Sequence, residues 1–316
     1  MAFDTPILLL AFNRPDTTTQ VLDRIRQVKP KQLFVAVDGA RANKAGEWEQ
    51  VKAVQDLMQK VDWDCELHTN FRTKNLGCRA AVVSAMDWFF EQVTAGIILE
   101  DDCVPHLDFF EFCQENLLRY QNQEQVLQIG GFNILSNQTS GLSADYFFTQ
   151  HAMIWGWATW RRAWKMMDVD MLLLPDYVEK SVTQKLLFGD RLAQAYIIDK
   201  WQKTYRKENS SWAYAWAFGV FAHQGVCILP SQNLVENVGL GQEATHTQDA
   251  THLVQKTTSK RLSFPLKHPD TKDKNLLTLV NPNIEKQLFY KTHKSRFLLV
   301  ANALIPTRLK KILVRK

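Results

Sequence analysis

Short apolar runs that end in polar residues, with helical periodicity between them, constrain this chain most strongly. Residues 6–12, 32–37 and 96–99 are apolar, and the polar groups that follow them are Asn13-Arg14, Asp38-Gly39 and Glu100-Asp101-Asp102. Strands that alternate with helices predict βαβ units, and so an α/β fold with a mostly parallel central sheet flanked by helices. Ligands of such sheets bind at the carboxyl ends of the strands. The three polar groups are therefore expected at one edge.

The later part of the chain predicts more elements of both kinds. Further strands are expected over residues 65–69, 126–131, 146–149 and 226–230, and helices over 48–61, 78–90, 107–120, 190–205 and 212–223. The aromatic stretch 154–164 has a helical period that places Trp157, Trp160 and Trp164 on one face. We expect Trp160 and Trp164 in the core, and Trp155 or Trp157 facing the site.

The distribution of charge and the cysteines indicate which binding partners and which cellular compartment to expect. The net charge is +5, and no acid follows Glu285, whereas the tail is rich in Lys and Arg. This asymmetry favours peripheral contact with an anionic membrane through the C-terminus, although a helix packed on the main domain fits equally well. No nucleic-acid partner is expected. Five cysteines without CxxC spacing, and no signal peptide, predict reduced thiols in a cytoplasmic protein. Membrane contact through the basic tail would place it peripherally at the inner face of the membrane.

The acidic cluster after the fourth predicted strand has the chemistry of a cation site. Carboxylate oxygens are the ligands of Mg²⁺ or Mn²⁺, and such an ion can bridge the oxygens of a diphosphate. His246, in a glycine-rich loop, offers an imidazole that could complete the coordination. The alternatives are a solvated acidic turn and a surface histidine. The absence of GxxxxGK[ST] and GxGxxG motifs argues against P-loop and dinucleotide chemistry.

Residues 97–102, Ile-Ile-Leu-Glu-Asp-Asp, are followed by Pro105 and by Asp108-Phe109-Phe110. This pattern resembles the metal-binding segment of GT-A glycosyltransferases, in particular the N-acetylglucosaminyltransferase I type. The chain is also similar to bacterial family-2-like transferases, some of them described as hemolytic-protein-like. The similarity extends over about residues 6–247. It implies a GT-A catalytic domain over residues 1–250 and a basic C-terminal extension over residues 251–316.

The resemblance assigns a role to each matching residue. It implies Asp102 and His246 as metal ligands. The residues implied to bind the donor are Arg14, Asp38, Asn75, Arg79, Glu100, Asp101, Gly156 and Trp157.

The family pattern is broken where a catalytic base is expected. Inverting enzymes carry a carboxylate there, whereas residues 211–216 read Ser-Trp-Ala-Tyr-Ala-Trp. Proton removal needs a group within hydrogen-bond reach. Glu208 and Asp101 are the candidate catalytic acids, and Asp190 or Asp199 are further alternatives to Glu208. A shifted base, a retaining mechanism and a weakened enzyme all stay open.

The predicted activity is metal-dependent transfer of a sugar from a nucleotide-diphosphate donor, a UDP-sugar by resemblance, to a glycan or lipid-linked acceptor. One alternative is a sugar nucleotidyltransferase. Such enzymes carry a glycine-rich basic loop after the first strand, where this chain has Asn13-Arg14-Pro15-Asp16. The other alternative is a degenerate transferase that only binds nucleotide or glycan, which Ala213 and Ala215 suggest.

Overall fold

The computed structural model describes residues 3–139, 141–239 and 257–293. Within these residues the chain forms one eight-stranded sheet and one two-stranded sheet. The strands are β1 (Ile7–Ala11), β2 (Gln32–Val37), β3 (Glu66–Phe71), β4 (Ala95–Glu100), β5 (Cys103–Pro105), β6 (Val126–Gly130), β7 (Tyr146–Thr149), β8 (Trp157–Trp160), β9 (Val226–Pro230) and β10 (Val235–Asn237).

The large sheet has the order β3-β2-β1-β4-β8-β6-β9-β7. Pairing is parallel from β3 through β4 and again between β6 and β9, while β8 and β7 run antiparallel to their neighbours. Leu10 is in register with Glu100, and Ala11 with Val37. The carboxyl ends of β1, β2 and β4 therefore meet at one edge, and the predicted mostly parallel sheet is confirmed.

Helices cover both faces of this sheet. They are α1 (Pro15–Val28), α2 (Glu47–Asp56), α3 (Cys78–Gln92), α4 (Leu107–Arg119), α5 (Ser136–Thr139), α6 (Arg161–Trp164), α7 (Leu174–Glu179), α8 (Arg191–Tyr205), α9 (Ala213–Ala222) and α10 (Pro282–Thr292). The apolar sides of α1, α2 and α4 form one core layer, and those of α3 and α9 form the other. β2, β7 and β9 begin and end where the sequence predicts, because each is a buried apolar run between polar turns.

The helical expectation for the aromatic stretch is wrong at residues 157–160, which form β8 between β4 and β6. Trp157 and Trp160 consequently lie on opposite faces of the sheet, in different core layers. Trp157 is fully buried and stacks on Trp212, with ring centroids 5.8 Å apart. Its ring packs in the core, where we had expected a side chain facing the site; the implied role in binding the donor stays a prediction. Trp155 is partly buried against Phe132.

Residues 257–293 pack on the main body. Leu266, Leu276 and Val280 are buried in the same core layer as α1. The side chain of Glu285, in α10, is buried where it accepts hydrogen bonds from the Thr149 hydroxyl and the Gln150 amide. In the part of the chain that the structure describes, every helix is too short or too polar to cross a bilayer.

The Glu285 contact should make stability depend on pH. Burial raises the pKa of Glu285 from 4.5 to about 7. The folded state therefore holds this proton where the unfolded state has lost it, so this stabilisation is present below pH 4.5 and is lost as the pH rises through 7. Burial lowers the pKa of His151 and His293 to about 4, so their contribution runs the opposite way and is lost at low pH.

Comparing Glu285→Gln with the wild type separates the pH dependence due to Glu285 from that due to the two histidines. The free energy of unfolding of the variant relative to the wild type should rise by up to about 3 kcal/mol between pH 5 and pH 8. Urea denaturation across that range measures it, and Glu91→Gln, at an exposed glutamate of α3, controls for the lost charge. A difference between variant and wild type that stays constant with pH would contradict this assignment.

Candidate functional site

Three carboxylates meet the loop after β1 at the carboxyl edge of the sheet. Glu100 ends β4, and Asp101 and Asp102 follow it. The Asp101 Oδ2 accepts a hydrogen bond of 3.1 Å from the Phe12 amide. The Arg14 Nη1 lies 2.9 Å from the Asp102 Oδ2. We call these residues, Arg14 and Glu100-Asp101-Asp102, the carboxylate corner.

The carboxylate corner places three acids beside one guanidinium, so ionisation of all three is unfavourable without further positive charge. The Glu100 Oε1 is buried and has no hydrogen-bond partner among the described residues. Burial, and then Asp102 and Asp101, raise the pKa of Glu100 to about 8, with Arg14 acting in the opposite direction. Burial and Asp102 raise the pKa of Asp101 to about 7. A bound cation would supply the missing compensation.

A segment from late in the chain closes over Asp102. β10 pairs with β5, after which the Val238 amide donates to the Asp102 carbonyl at 2.9 Å. The Asn237 Nδ2 lies 3.4 Å from the Asp102 Oδ1. A Cβ atom at Gly239 would lie 2.0 Å from the Asp102 Oδ2, so only glycine fits without displacing that carboxylate. His246 lies outside the described residues, seven positions beyond Gly239.

Glu100 and Asp102 suit a cation that also binds substrate. Across residues 3–139, 141–239 and 257–293, no three His, Cys, Asp or Glu side chains are grouped to hold a metal. Mg²⁺, however, is usually held by one or two carboxylates together with water and substrate phosphates. The unpartnered Glu100 oxygen fits that coordination.

Asp38 ties the loop after β2 to the start of α3. Its side chain is buried and accepts hydrogen bonds from the amides of Gly39, Leu76 and Gly77 and from the Asn75 side chain, at 3.0–3.2 Å. Asp38 and Asn75, both expected to bind the donor, are therefore brought together but bonded to each other. Their visible role is to fix the shape of this loop.

A cleft of about 500 Å³ opens beside the start of α3. Arg79 lines it and donates to the Val169 carbonyl, with Asp170 3.9 Å away. Cys78 lines it too; its residue surface is exposed, but the surrounding protein partly desolvates the thiol, and this together with the charges of Glu100 and Asp38 raises its pKa. The charge of Glu100, in the carboxylate corner, thus acts on a residue that lines this cleft. Arg79 faces this cleft and is already bonded to the segment at residues 169–170.

Of the candidate catalytic acids, Glu208 lies next to residues that line the cleft, whereas Asp190 and Asp199 contact residues of α8. The Glu208 side chain is 48% exposed and pairs with Arg206, although its neighbours Lys207 and Asn209 line the cleft. Asp190 caps α8, and Asp199 pairs with Lys203 within that helix. Asp170 lines the cleft, 3.3 Å from Lys207. Sequence reasoning missed Asp170, because no motif marks it and only tertiary contacts bring it to α3.

Gly156 precedes β8 with a φ of +62°, and a Cβ atom there would lie 2.7 Å from the Val235 side chain. Its carbonyl accepts a hydrogen bond from the Gly131 amide. The residue therefore lets β10 pack against the sheet. This packing explains the glycine without contact to a donor.

No protein-family model matches this sequence, and no curated protein is similar to it. Some solved structures show a distant similarity. A UDP-glucose pyrophosphorylase complexed with UDP-glucose is 8% identical over 72% of this chain and 90% of its own, with a TM-score of 0.36. The apo form of a UDP-glucose pyrophosphorylase is 8% identical over 73% and 93%, with a TM-score of 0.35.

HddC from Yersinia pseudotuberculosis is 11% identical over 36% of this chain, with a TM-score of 0.27. This chain spans about half the length of HddC, 54%. Likenesses at these TM-scores are too distant to transfer an activity.

The Asp38 contacts make a stability prediction. Asp38→Asn places an amide group against donors that need acceptors, so the free energy of unfolding should fall by about 2–3 kcal/mol. Chemical denaturation measures the change, with the exposed Asp23→Asn in α1 as the control. Equal stability of the two variants would show that the Asp38 bonds do not hold this loop.

Proposed function

We propose that this chain is a GT-A-type enzyme of nucleotide-sugars that binds its donor, together with Mn²⁺ or Mg²⁺, at the carboxylate corner. The supporting observation is the buried Glu100 Oε1, which has no partner in the described chain and lies beside two further carboxylates. A buried charge of this kind requires a counter-ion or a proton. A divalent cation would supply the counter-charge, and the same cation would bind the diphosphate of the donor.

Each residue of the carboxylate corner then has a role. Asp102 and Glu100 would hold the cation, which when bound acts as a Lewis acid toward the diphosphate. Asp101 holds the loop after β1 in place through the Phe12 amide. His246 is proposed as a further ligand, since the seven residues after Gly239 can span roughly 23 Å.

The main candidate reaction is glycosyl transfer. An acceptor hydroxyl oxygen bonds to the anomeric carbon of the donor, and the bond from that carbon to the diphosphate oxygen breaks. The diphosphate keeps the electron pair, and the hydroxyl proton passes to a base. Asp170 and Glu208 are the candidate bases, because the segments that carry them border the cleft beside α3.

Nucleotidyl transfer is the second candidate, and the ion pairs of these acids favour it. Asp170 pairs with Lys207, and Glu208 with Arg206, which leaves neither as a ready base. A sugar phosphate needs no base, because its anionic oxygen attacks the α-phosphorus of a nucleoside triphosphate and pyrophosphate leaves. The loop after β1 lacks the glycine-rich basic sequence of that class, which favours glycosyl transfer.

Product analysis distinguishes the candidates. Release of nucleoside diphosphate from UDP-sugars supports glycosyl transfer, whereas release of pyrophosphate from UTP and sugar phosphate supports nucleotidyl transfer. Binding of UDP without either turnover supports the degenerate, binding-only alternative.

The acceptor is proposed to be a glycan or a lipid-linked glycan at the cytoplasmic face of a membrane. The basis is the basic tail at residues 294–316, which lies outside the described residues. Such tails bind anionic lipid by charge. Sedimentation with vesicles containing anionic lipid measures this property separately from donor binding.

Asp102→Asn tests the donor site itself. In the wild type, UDP with Mn²⁺ at about 100 times its Kd should raise the Tm by about 5 °C, and the variant should lose the part that depends on Mn²⁺. Asp62→Asn is a matched control, because Asp62 pairs with Arg26 as Asp102 pairs with Arg14. An undiminished Mn²⁺-dependent shift in Asp102→Asn would overturn this location for the site.

A further inference from the structure

Arg14 forms an ion pair with Asp102, the carboxylate that is proposed to bind the cation. Its Nη1 lies 2.9 Å from the Asp102 Oδ2, and the two side chains are only 28% and 16% exposed. A guanidinium on this oxygen and a divalent cation on the same oxygen compete for one anion, and each repels the other. In the structure described here, the protein itself neutralises Asp102.

The backbone on either side of Arg14 is held by other contacts, so an exchange of partner would be made by its side chain. The Phe12 amide is bonded to Asp101, and the Asn13 side chain donates to the Glu47 carboxylate at 3.0 Å. Glu47 is buried and is also bonded to Arg41. Arg14 therefore projects from a loop anchored on both α2 and the carboxylate corner. A guanidinium also matches a diphosphate well, because its planar fork donates two parallel hydrogen bonds.

We propose that Arg14 is an exchange residue: it pairs with Asp102 when the site is empty, and it moves to the donor diphosphate when a divalent cation takes Asp102. The inference rests on the proposed function, because it requires a diphosphate at this edge of the sheet. Arg14 then makes binding of the cation and of the diphosphate mutually dependent. When no diphosphate is present, the cation must displace Arg14 from Asp102, and Arg14 gains no new anionic partner in exchange. With the diphosphate present, Arg14 gains a new partner and the displacement costs less.

Titration with MnCl2 and UDP tests the exchange by binding alone. Free Mn²⁺ is measured by electron paramagnetic resonance, and UDP binding by calorimetry, at fixed pH and salt. Arg14→Gln should bind Mn²⁺ alone about tenfold more tightly than the wild type, because the competing charge is gone. With saturating Mn²⁺, the same variant should bind UDP about tenfold more weakly, because the diphosphate loses its guanidinium.

Arg26→Gln is the matched control. It removes the same charge from α1, where Arg26 pairs with Asp62, and it should leave both affinities within twofold of the wild type. Arg14→Lys keeps the charge but cannot form the planar fork. It should therefore retain the wild-type Mn²⁺ affinity and lose part of the UDP affinity.

The outcomes separate this inference from the proposed function. Mn²⁺ binding by Arg14→Gln that is undetectable, or no tighter than in the wild type, overturns the exchange. If the wild-type protein binds Mn²⁺ but never UDP, the proposed function is overturned, and so is the proposed movement of Arg14 to the diphosphate. The competition between Arg14 and Mn²⁺ at Asp102 is then still tested by the Mn²⁺ titration.

Should Arg14→Gln fail to fold, crystals of the wild type soaked with MnCl2 and UDP provide the second measurement. Arg14 is expected on the diphosphate and away from Asp102. Arg14 still bonded to Asp102 in crystals that hold both ligands would overturn the inference.

Discussion

The parallel pairing of β1 with β4 places the loop after β1 directly against the acids that follow β4. Leu10 is in register with Glu100, so the next residues of each strand leave the sheet side by side. The Phe12 amide and the Arg14 guanidinium then meet Asp101 and Asp102. These two contacts offset part of the repulsion among three carboxylates. Glu100 is the acid of this cluster that these two contacts do not reach, and its buried Oε1 has no partner among the described residues.

Packing around this edge is tight because several distant segments converge on it. Gly239 approaches Asp102 so closely that a side chain there would displace the Asp102 carboxylate. Asp38 accepts hydrogen bonds from three donors of the loop before α3, Asn75, Leu76 and Gly77. These contacts hold in place the residues that follow β2, β4 and β10. The binding of a charged ligand then needs little rearrangement of the backbone, which is the usual basis of preorganised sites.

The sequence predicted the elements of this edge well and their contacts poorly. Apolar runs located β1, β2 and β4, and the acidic cluster was recognised from its position after β4. The helical period of the tryptophan stretch is misleading at residues 157–160, where a spacing of three residues puts Trp157 and Trp160 on opposite faces of a strand. Asp38 and Asn75 were recognised as polar loop residues, but their hydrogen bonds to each other depend on where two loops pack.

By itself the sequence determined the order of strands and helices and the presence of a carboxylate cluster at a strand end, because hydrophobic periodicity and turn residues are local properties. Only the tertiary structure decided which charges face one another. The Arg14–Asp102 pair joins residues 88 positions apart. Asp170 reaches the cleft beside α3 only through tertiary contacts, among them those with Arg79 and Lys207. Electrostatic interactions depend on distance in space and on burial, and neither can be read from spacing along the chain.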